Sequence, residues 1–225
     1  VVEWILETHI HADHITAASY IKEKMGGKIA ISKHMLDIIT TWTPIFQTQE
    51  DTPADGSAFD HLFDNDEEFT IADMPAKIIH TPGHTPADTT YIVGNAAFVG
   101  DTIFLPDVGS GRCDFPGGSA EDSYDSSRKL FALPDHYRIY VGHDYPPEGT
   151  RGPECMTTVG EQKAKNTRLH SGIDKNSFVA QRKADDTGKA VPALLLPSIQ
   201  ANMRTGRFGA AVNGIQYVKL PVNKL

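Results

Sequence analysis

Short apolar runs closed by glycine, proline or polar residues recur along this chain. They occur at residues 4–6, 28–32, 69–71, 77–79, 89–93 and 96–99. Runs of this length between turn-forming residues favour buried strands. Gly94-Asn95 separates the last two runs, and this pair matches the two-residue turns of β-hairpins. The pattern therefore predicts short strands, two of them joined as a hairpin.

Helical periodicity follows in other segments. Residues 15–25 carry apolar side chains at helical spacing, and Gly26-Gly27 predicts the end of that helix. Ser119, with Asp122 three residues later, resembles a capping box and predicts a helix that continues to about Leu133. A further helix is predicted at about 155–169. We expect the region from about 155 to 225 to be a C-terminal helical extension.

The stretch 43–66 is rich in Thr, Pro, Asp and Gln and has few periodic apolar residues. This composition predicts a surface insertion, a long excursion above a cleft. A variable loop without function is the alternative, because long loops are common sites of insertion.

Composition limits the class of protein. A chain of 225 residues with 40% hydrophobic content can bury the core of a single domain, and we expect residues 1–225 to form one. The net charge of −8 and a pI near 5.6 argue against nucleic acid as a partner. No run approaches the ~18 consecutive apolar residues of a membrane span, so we expect no membrane partner. Cys113 and Cys155 lack metal-type spacing, and a cytoplasmic location is expected.

A cluster of histidine and aspartate stands out directly after the first apolar run. It consists of His9, His11, Asp13 and His14. Imidazole and carboxylate groups are strongly solvated and seldom packed together unless a cation repays their desolvation. The cluster therefore predicts a metal site.

Three further candidate ligands follow later apolar runs. They are His84, Asp101 and His143, the first after a Thr-Pro-Gly turn and the other two directly after glycine. Residues just past the end of a strand lie at the rim of a sheet, where sites are usually built. We expect all these side chains to converge on one cleft. From the residues alone, the chain is an α/β protein with a site at a sheet rim.

The pattern resembles the metallo-β-lactamase superfamily, whose signature is an HxHxDH loop followed by His, Asp and His. Every position matches. The resemblance implies an αββα sandwich, in which two β-sheets lie between outer helices and the site lies at one edge. The superfamily also places several strands ahead of the HxHxDH loop, whereas only residues 1–8 precede His9 here. We therefore expect the domain to lack its N-terminal strands and an additional N-terminal polypeptide to complete the fold.

Finer motifs resemble the persulfide dioxygenases, also called sulfur dioxygenases. They lie at residues 7–16, 111–115, 142–145, 166–169 and 201–204. The long segment after Lys33 further suggests the bacterial β-lactamase hydrolase-like subgroup. This resemblance implies one non-haem Fe(II) per chain, bound by His9, His84 and Asp101, with open positions for O2 and a thiolate. It implies the oxidation of glutathione persulfide by O2 to sulfite and glutathione.

Two interpretations of the remaining histidines and aspartate stay open. His11, Asp13, His14 and His143 could hold the orientation of the iron ligands, or they could bind a second metal. In the second case the chain would be a dinuclear zinc hydrolase of thioesters, similar to glyoxalase II, or a related β-lactamase-like hydrolase. Zinc, one or two ions per chain, is thus the alternative to iron.

Substrate contacts are predicted at the outlying motifs. Tyr145 is a candidate hydrogen-bond donor to the substrate or else a buried structural tyrosine. Arg168 and Arg204 are candidates to bind glutathione carboxylates, with an exposed surface arginine as the alternative for each. Cys113 is predicted to be a free, partly buried cysteine, with a redox role as the alternative. The expected partners are a small-molecule thiol persulfide and O2, and a homo-oligomer is compatible with the sequence.

Overall fold

The computed structural model describes residues 1–222 and divides into two compact units. One unit is Val1–Asp64 together with the chain from Ala190 onward, and the other is Asn65–Lys189. Among the described residues, no helix has both the length and the apolar character needed to cross a membrane.

Nine strands and six helices are found in residues 1–222. The strands are β1 (Trp4–Leu6), β2 (Lys28–Ser32), β3 (His61–Phe63), β4 (Glu68–Ile71), β5 (Met74–His80), β6 (Thr89–Val93), β7 (Ala96–Phe98), β8 (Arg138–Tyr140) and β9 (Met156–Thr158). The helices are α1 (Ala18–Met25), α2 (Met35–Phe46), α3 (Ala120–Phe131), α4 (Val159–Lys165), α5 (Lys175–Asp186) and α6 (Leu195–Asn202).

The first unit contains a parallel three-stranded sheet in the order β1-β2-β3. Ile29 and Ile31 of β2 are buried, as is Phe63 of β3. Helix α1 ends at Gly26, whose φ of 76° is readily adopted by glycine, so the predicted stop at Gly26-Gly27 is confirmed. Burial of these apolar side chains is the main term that stabilises this sheet.

Segment 43–66 differs from the irregular excursion expected from its composition. Its first residues complete α2, and its last residues include β3, which pairs with β2. Ile38, Trp42 and Phe46 recur at helical spacing and are buried, so burial of this stripe outweighs the presence of Pro44 in the last turn.

The second unit is built on a six-stranded sheet in the order β4-β5-β6-β7-β8-β9. Neighbouring strands are antiparallel except for the parallel pair β7 and β8. The predicted hairpin is confirmed, with β6 and β7 on either side of Gly94-Asn95. A buried cluster that includes Ala97, Leu130 and Ile139 packs α3 against the sheet.

Local capping chemistry explains where the helices of this unit begin. The Asp122 N–H donates to Ser119 Oγ at 3.1 Å, which confirms the predicted cap of α3. The helix predicted at 155–169 is shorter than expected, because residues 156–158 pair with β8 and α4 begins only after Thr158. Thr158 Oγ1 accepts a hydrogen bond from the Glu161 N–H at 3.1 Å and caps α4.

Candidate metal centre

The loop between β1 and α1 brings the predicted histidine and aspartate cluster together. The ring centroid of His11 lies 4.2 Å from that of His9 and 4.2 Å from that of His14. Donor atoms of His11, Asp13 and His14 all lie within 4.8 Å of one another. Imidazole and carboxylate donors at such separations are able to share an ion. We call residues 9–16 the metal loop.

Glu7 sets the orientation of the His11 ring. The buried Glu7 carboxylate lies 3.3 Å from His11 Nε2 and accepts a hydrogen bond from the Thr16 hydroxyl. Within residues 1–222, the other ring nitrogen of His11, Nδ1, is buried and has no hydrogen-bond partner. A histidine whose second nitrogen faces a carboxylate is the arrangement commonly found at metal ligands. The loop therefore fits a metal ion.

His9 lies deeper than the rest of the loop, with 1% of its surface exposed. Its Nδ1 lies 3.1 Å from the Thr8 hydroxyl, which holds the ring from one side. A neutral imidazole is the form that binds a metal.

Asn202, at the end of α6, forms side-chain hydrogen bonds to main-chain groups of the metal loop. Its amide nitrogen donates to the carbonyls of His11 and His14 at 2.9 and 2.8 Å. Its amide oxygen accepts from the Thr16 N–H at 2.9 Å. Sequence analysis includes Asn202 in the 201–204 motif but assigns it no role, since its partners are distant in sequence.

In the second unit, His84 and His143 face the same carboxylate. Each Nε2 lies 3.6 Å from Asp101 Oδ2. That separation is longer than an ordinary hydrogen bond and suits donors that share an ion. These later candidate ligands, predicted from their positions after strands, are thus close together.

The main-chain carbonyl of Arg112 orients His84. It lies 2.7 Å from His84 Nδ1, which leaves Nε2 turned toward Asp101. Gly111, one residue earlier, lies close to both His84 and Asp101. A Cβ at this position would be 2.2 Å from the Asp101 carbonyl oxygen and 3.4 Å from His84 Nδ1. Loop 110–114 therefore packs directly against both candidate ligands.

Two side chains of helix α5 form hydrogen bonds with this loop, one on each side of Arg112. Arg182 Nη1 donates to the Ser110 carbonyl at 3.3 Å, and the Cys113 N–H donates to Asp186 Oδ2 at 2.9 Å. Both α5 side chains are buried. Sequence analysis does not find this support, because nothing local to either segment marks the partner.

A second support lies under the turn that presents His84. The φ of Gly83 is 151°, and a Cβ at this position would lie 2.5 Å from Ser123 Cα, so the turn requires glycine. Asp88 closes the turn by accepting hydrogen bonds from the Thr85 N–H at 2.7 Å and the Thr85 hydroxyl at 2.8 Å. Burial raises the pKa of Asp88 to about 6, although His84 and the Thr85 donors favour the carboxylate. The sequence does not predict this role of Asp88, because its partner is recognisable only once the turn is formed.

Tyr145 stacks on His143. Their ring centroids lie 5.4 Å apart at 20°, and 58% of the tyrosine surface is exposed. The alternative of a buried structural tyrosine is therefore wrong. A contact between the Tyr145 hydroxyl and the substrate stays a prediction.

The two predicted substrate arginines occupy different environments. Arg168 is half-buried, and its Nη2 lies 3.1 Å from Asp185 Oδ2. Arg204 is buried, donates to the Thr52 hydroxyl at 3.0 Å, and has a pKa lowered by burial. An exposed surface arginine is thus not what is found at Arg204. Binding of glutathione carboxylates by either arginine stays a prediction.

Cys113 is buried, in agreement with the interpretation as an unreactive cysteine. Burial raises the pKa of its thiol to about 12, against the smaller effects of Ser123 and Arg182. Cys155 is exposed.

The metallo-beta-lactamase superfamily pattern matches residues 2–143, well over half of the chain. The chain belongs to this superfamily. The predicted α/β metallo-β-lactamase fold is confirmed, since solved structures of that fold align with most of the chain. His9, His84 and Asp101, all buried, are candidate metal ligands consistent with this fold.

Two curated relatives align with nearly the whole chain. The chain is 46% identical over 226 residues to "Glyoxylase B2" of Dictyostelium discoideum, covering 99% of the chain and 77% of the relative. It is 44% identical to the "Beta-lactamase hydrolase-like protein" of Xylella fastidiosa, covering 100% of the chain and 52% of that protein. The structure of ETHE1 from Myxococcus xanthus aligns with a TM-score of 0.72 and 27% identity, covering 91% of the chain and 78% of that structure.

More distant relatives include both expected reaction types. "Persulfide dioxygenase ETHE1, mitochondrial" of Bos taurus is 28% identical, covering 90% of the chain and 69% of the relative. "Hydroxyacylglutathione hydrolase" of Rhizobium meliloti is 32% identical, covering 81% of the chain and 74% of the relative. The predicted resemblance to the persulfide dioxygenases and to the β-lactamase hydrolase-like proteins is confirmed at the level of homology.

Proposed function

We propose that this protein is an iron-dependent dioxygenase that oxidises glutathione persulfide with O2 and water to glutathione and sulfite. The observation that carries the proposal is the likeness to ETHE1, which extends over 91% of the chain and so includes the parts beyond the superfamily match. In the reaction the outer sulfur loses four electrons, O2 gains four, and two protons are released. The sulfur–sulfur bond breaks, and the inner sulfur leaves as the thiol of glutathione.

We further propose that His9, His84 and Asp101 hold one Fe(II). Two imidazoles and one carboxylate are the ligand set of non-haem iron sites that keep open positions. Each of the three side chains is at least nine-tenths buried, so a bound ion would offset the cost of burying these polar groups. The ion would supply the one-electron chemistry that O2 requires.

The surrounding residues would orient and desolvate the reacting groups. The Arg112 carbonyl accepts a hydrogen bond from His84 Nδ1, which leaves Nε2 directed toward Asp101. Glu7 and Thr16 restrict the His11 ring. Stacking of Tyr145 on His143 would place a hydroxyl donor near the substrate sulfur.

Arg168 is proposed to bind a carboxylate of the glutathione carrier. A guanidinium has five N–H donors, so the ion pair with Asp185 leaves donors available. A charge-assisted hydrogen bond is worth about 1.5–3 kcal/mol, or roughly a 10- to 150-fold change in affinity. Arg168→Ala is expected to raise the KM for glutathione persulfide by about that factor and to lower kcat less. Arg138→Ala, which removes an exposed partner of Asn95, is the matched control. An unchanged KM in Arg168→Ala would exclude this contact.

Arg204 is proposed as a second carboxylate contact on the basis of its motif. Because Arg204 is buried, truncation to alanine would lose packing contacts and stability in addition to any contact with the ligand. Arg204→Lys therefore gives a better test than alanine, because it keeps the charge and removes the two-point geometry that a carboxylate needs.

A dinuclear zinc hydrolase of glutathione thioesters is the second candidate. The observation that favours it is the second donor group, His11, Asp13 and His14, with the buried Nδ1 of His11 available. The relationship to hydroxyacylglutathione hydrolase supports the same reaction class.

One experiment separates the two candidates. The protein is prepared without metal and loaded anaerobically with Fe(II) or with Zn(II), and metal content is measured together with two reactions. We expect about one iron per chain, O2 uptake with glutathione persulfide in a ratio of about one to one, and sulfite as product. Two zinc ions per chain, with hydrolysis of an acylglutathione thioester and no O2 uptake, would overturn the dioxygenase proposal.

A further inference from the structure

The C-terminal helix α6 lies outside the region matched by the superfamily, yet one of its side chains holds the metal loop. We propose that Asn202 is a positioning residue, which fixes the main chain of residues 11–16 so that the rings of His11 and His14 face an ion. The proposal rests on the proposed function only in assuming that this loop binds a metal.

The Asn202 amide forms three hydrogen bonds, all of them to main-chain groups of the loop. Its two N–H donors serve the carbonyls of His11 and His14, and its oxygen accepts from Thr16. Asn202 is 2% exposed, so solvent is poorly placed to replace these contacts. Buried main-chain groups that lose a partner are costly, and the loop would rearrange to recover hydrogen bonds elsewhere.

Thr16 connects Asn202 to the His11 ring through Glu7. The Thr16 N–H is fixed by Asn202, while its hydroxyl donates to Glu7. The second oxygen of Glu7 lies 3.3 Å from His11 Nε2. A displacement of Thr16 would therefore change the position of the carboxylate that orients the His11 ring.

The segment after α6 keeps Asn202 in place against the loop. The Ser19 N–H donates to the Thr205 carbonyl at 3.0 Å, and the two hydroxyls of these residues lie 2.6 Å apart. A Cβ on Gly206 would lie 2.3 Å from the Thr16 carbonyl oxygen, so the two chains are in direct contact there. The metal loop is thus shaped by residues 186 to 191 positions away in sequence.

Helix α6 also supplies a matched control. Gln200 is a second buried amide, 1% exposed, and likewise forms three hydrogen bonds. Its partners are Leu196 and Lys219, neither of which belongs to the metal loop. Loss of either amide should disturb helix packing, whereas loss of Asn202 alone should disturb the metal loop.

The test compares Asn202→Ala with Gln200→Ala in the full chain. Dissociation constants for Fe(II) and for Zn(II) are measured by competition with a chelator, and urea unfolding of the metal-free proteins is measured in parallel. We expect Asn202→Ala to weaken binding of both ions by about 10- to 100-fold, the usual effect of losing a group that orients ligands. Gln200→Ala should leave both constants within about 2-fold while losing comparable stability.

One further variant and one further measurement keep the test decisive. Asn202→Ser, which retains a smaller donor, replaces the alanine variant if that protein does not fold. The absorption bands of the Co(II)-loaded protein should shift in the Asn202 variant and remain as in the unmodified protein in Gln200→Ala. Equal losses of metal affinity in the two variants, or an Asn202 variant with full affinity and unchanged bands, would overturn the proposal. Because affinity is measured without turnover, a protein with neither reaction but a selective loss at Asn202 would refute the proposed function alone.

Discussion

Arg182 and Asp186, one turn apart on α5, form a buried two-point ion pair. The distance from Arg182 Nε to Asp186 Oδ2 is 3.0 Å, and that from Nη2 to Oδ1 is 2.6 Å. The same two side chains bind the loop that carries Arg112, so one ion pair supports the group that orients His84. A change at this pair should therefore affect both the stability of the protein and the position of the candidate ligand His84.

Removal of one member of the pair should be strongly destabilising. Asp186→Ala removes the two-point pair and leaves the buried Arg182 guanidinium facing the more distant Asp185 carboxylate at 4.0 Å, so the free energy of unfolding should fall by about 3 kcal/mol. Urea unfolding of the metal-free protein measures this change. Asp125→Ala, which removes the exposed pair of Lys175 with Asp125, is the control and should leave the midpoint nearly unchanged. Similar midpoints for the two variants would contradict a structural role for the buried pair.

The candidate ligands should separate into two groups by their effect on metal content. His84→Ala and Asp101→Ala are expected to abolish iron binding, since each removes one of three proposed ligands. His143→Ala and Asp13→Asn should retain iron and lose about 10- to 100-fold in affinity or activity. Metal analysis after gel filtration measures this directly. A His143→Ala protein that loses half of a two-metal complement would instead support the dinuclear hydrolase.

The two cysteines should differ in reactivity toward thiol reagents. With the pKa of Cys113 raised to about 12 by burial, only on the order of 10⁻⁴ of its thiol is ionised at pH 8. Cys155 is exposed and should be modified first, about 100-fold faster or more. Mass spectrometry of iodoacetamide-treated protein follows each site. Addition of urea should bring the two rates together, and rapid modification of Cys113 in the folded protein would show that this residue is accessible.

Asp88 should give the metal-free protein a specific pH dependence. Its pKa is raised from 3.8 to about 6 by burial, so the folded state binds the proton more tightly than the unfolded state. The stability from this group is full below pH 3.8 and is lost as pH rises through 6. Relative to the unmodified protein, Asp88→Asn should therefore gain on the order of 3 kcal/mol between pH 4 and pH 7.

The test of the raised Asp88 pKa is how the difference in unfolding free energy between the two proteins changes with pH. A difference that is the same at every pH would instead reflect the altered hydrogen bonds from Thr85. Urea unfolding of both proteins at several pH values measures it. Parallel stability curves for the two proteins would show that Asp88 does not titrate in this range.

Features that arise from interactions between residues close in sequence were predictable, whereas features that depend on distant residues were not. The hairpin at Gly94-Asn95 and the cap at Ser119 follow from interactions within a few residues, and the structure confirms both. The histidine cluster at 9–14 is recognisable because no ordinary element requires such residues together. Helix α2 was not predicted because the composition of 43–66 favoured a loop, although the helical spacing of Ile38, Trp42 and Phe46 is a signal that could have identified it.

The supports of the site were the least predictable part. Asp186 binds Cys113 across 73 residues, and Asn202 binds the His11 carbonyl across 191. Asn202 lies in the 201–204 motif, but nothing in that motif identifies its partner, and no local pattern marks Asp186 as a partner of loop 110–114. Their roles become visible only when the chain is folded, because hydrogen bonds of this kind are set by tertiary structure.

The contact at Gly111 has a consequence for the sequences that this fold can tolerate. Any side chain there would overlap the Asp101 carbonyl oxygen, whereas a Cβ on Gly152 would meet no atom within 4 Å. Among random single substitutions, position 152 should accept many residues and position 111 almost none. The candidate site thus depends on a residue that has no reactive side chain, and a substitution at Gly111 can disrupt it while every candidate metal ligand remains unchanged.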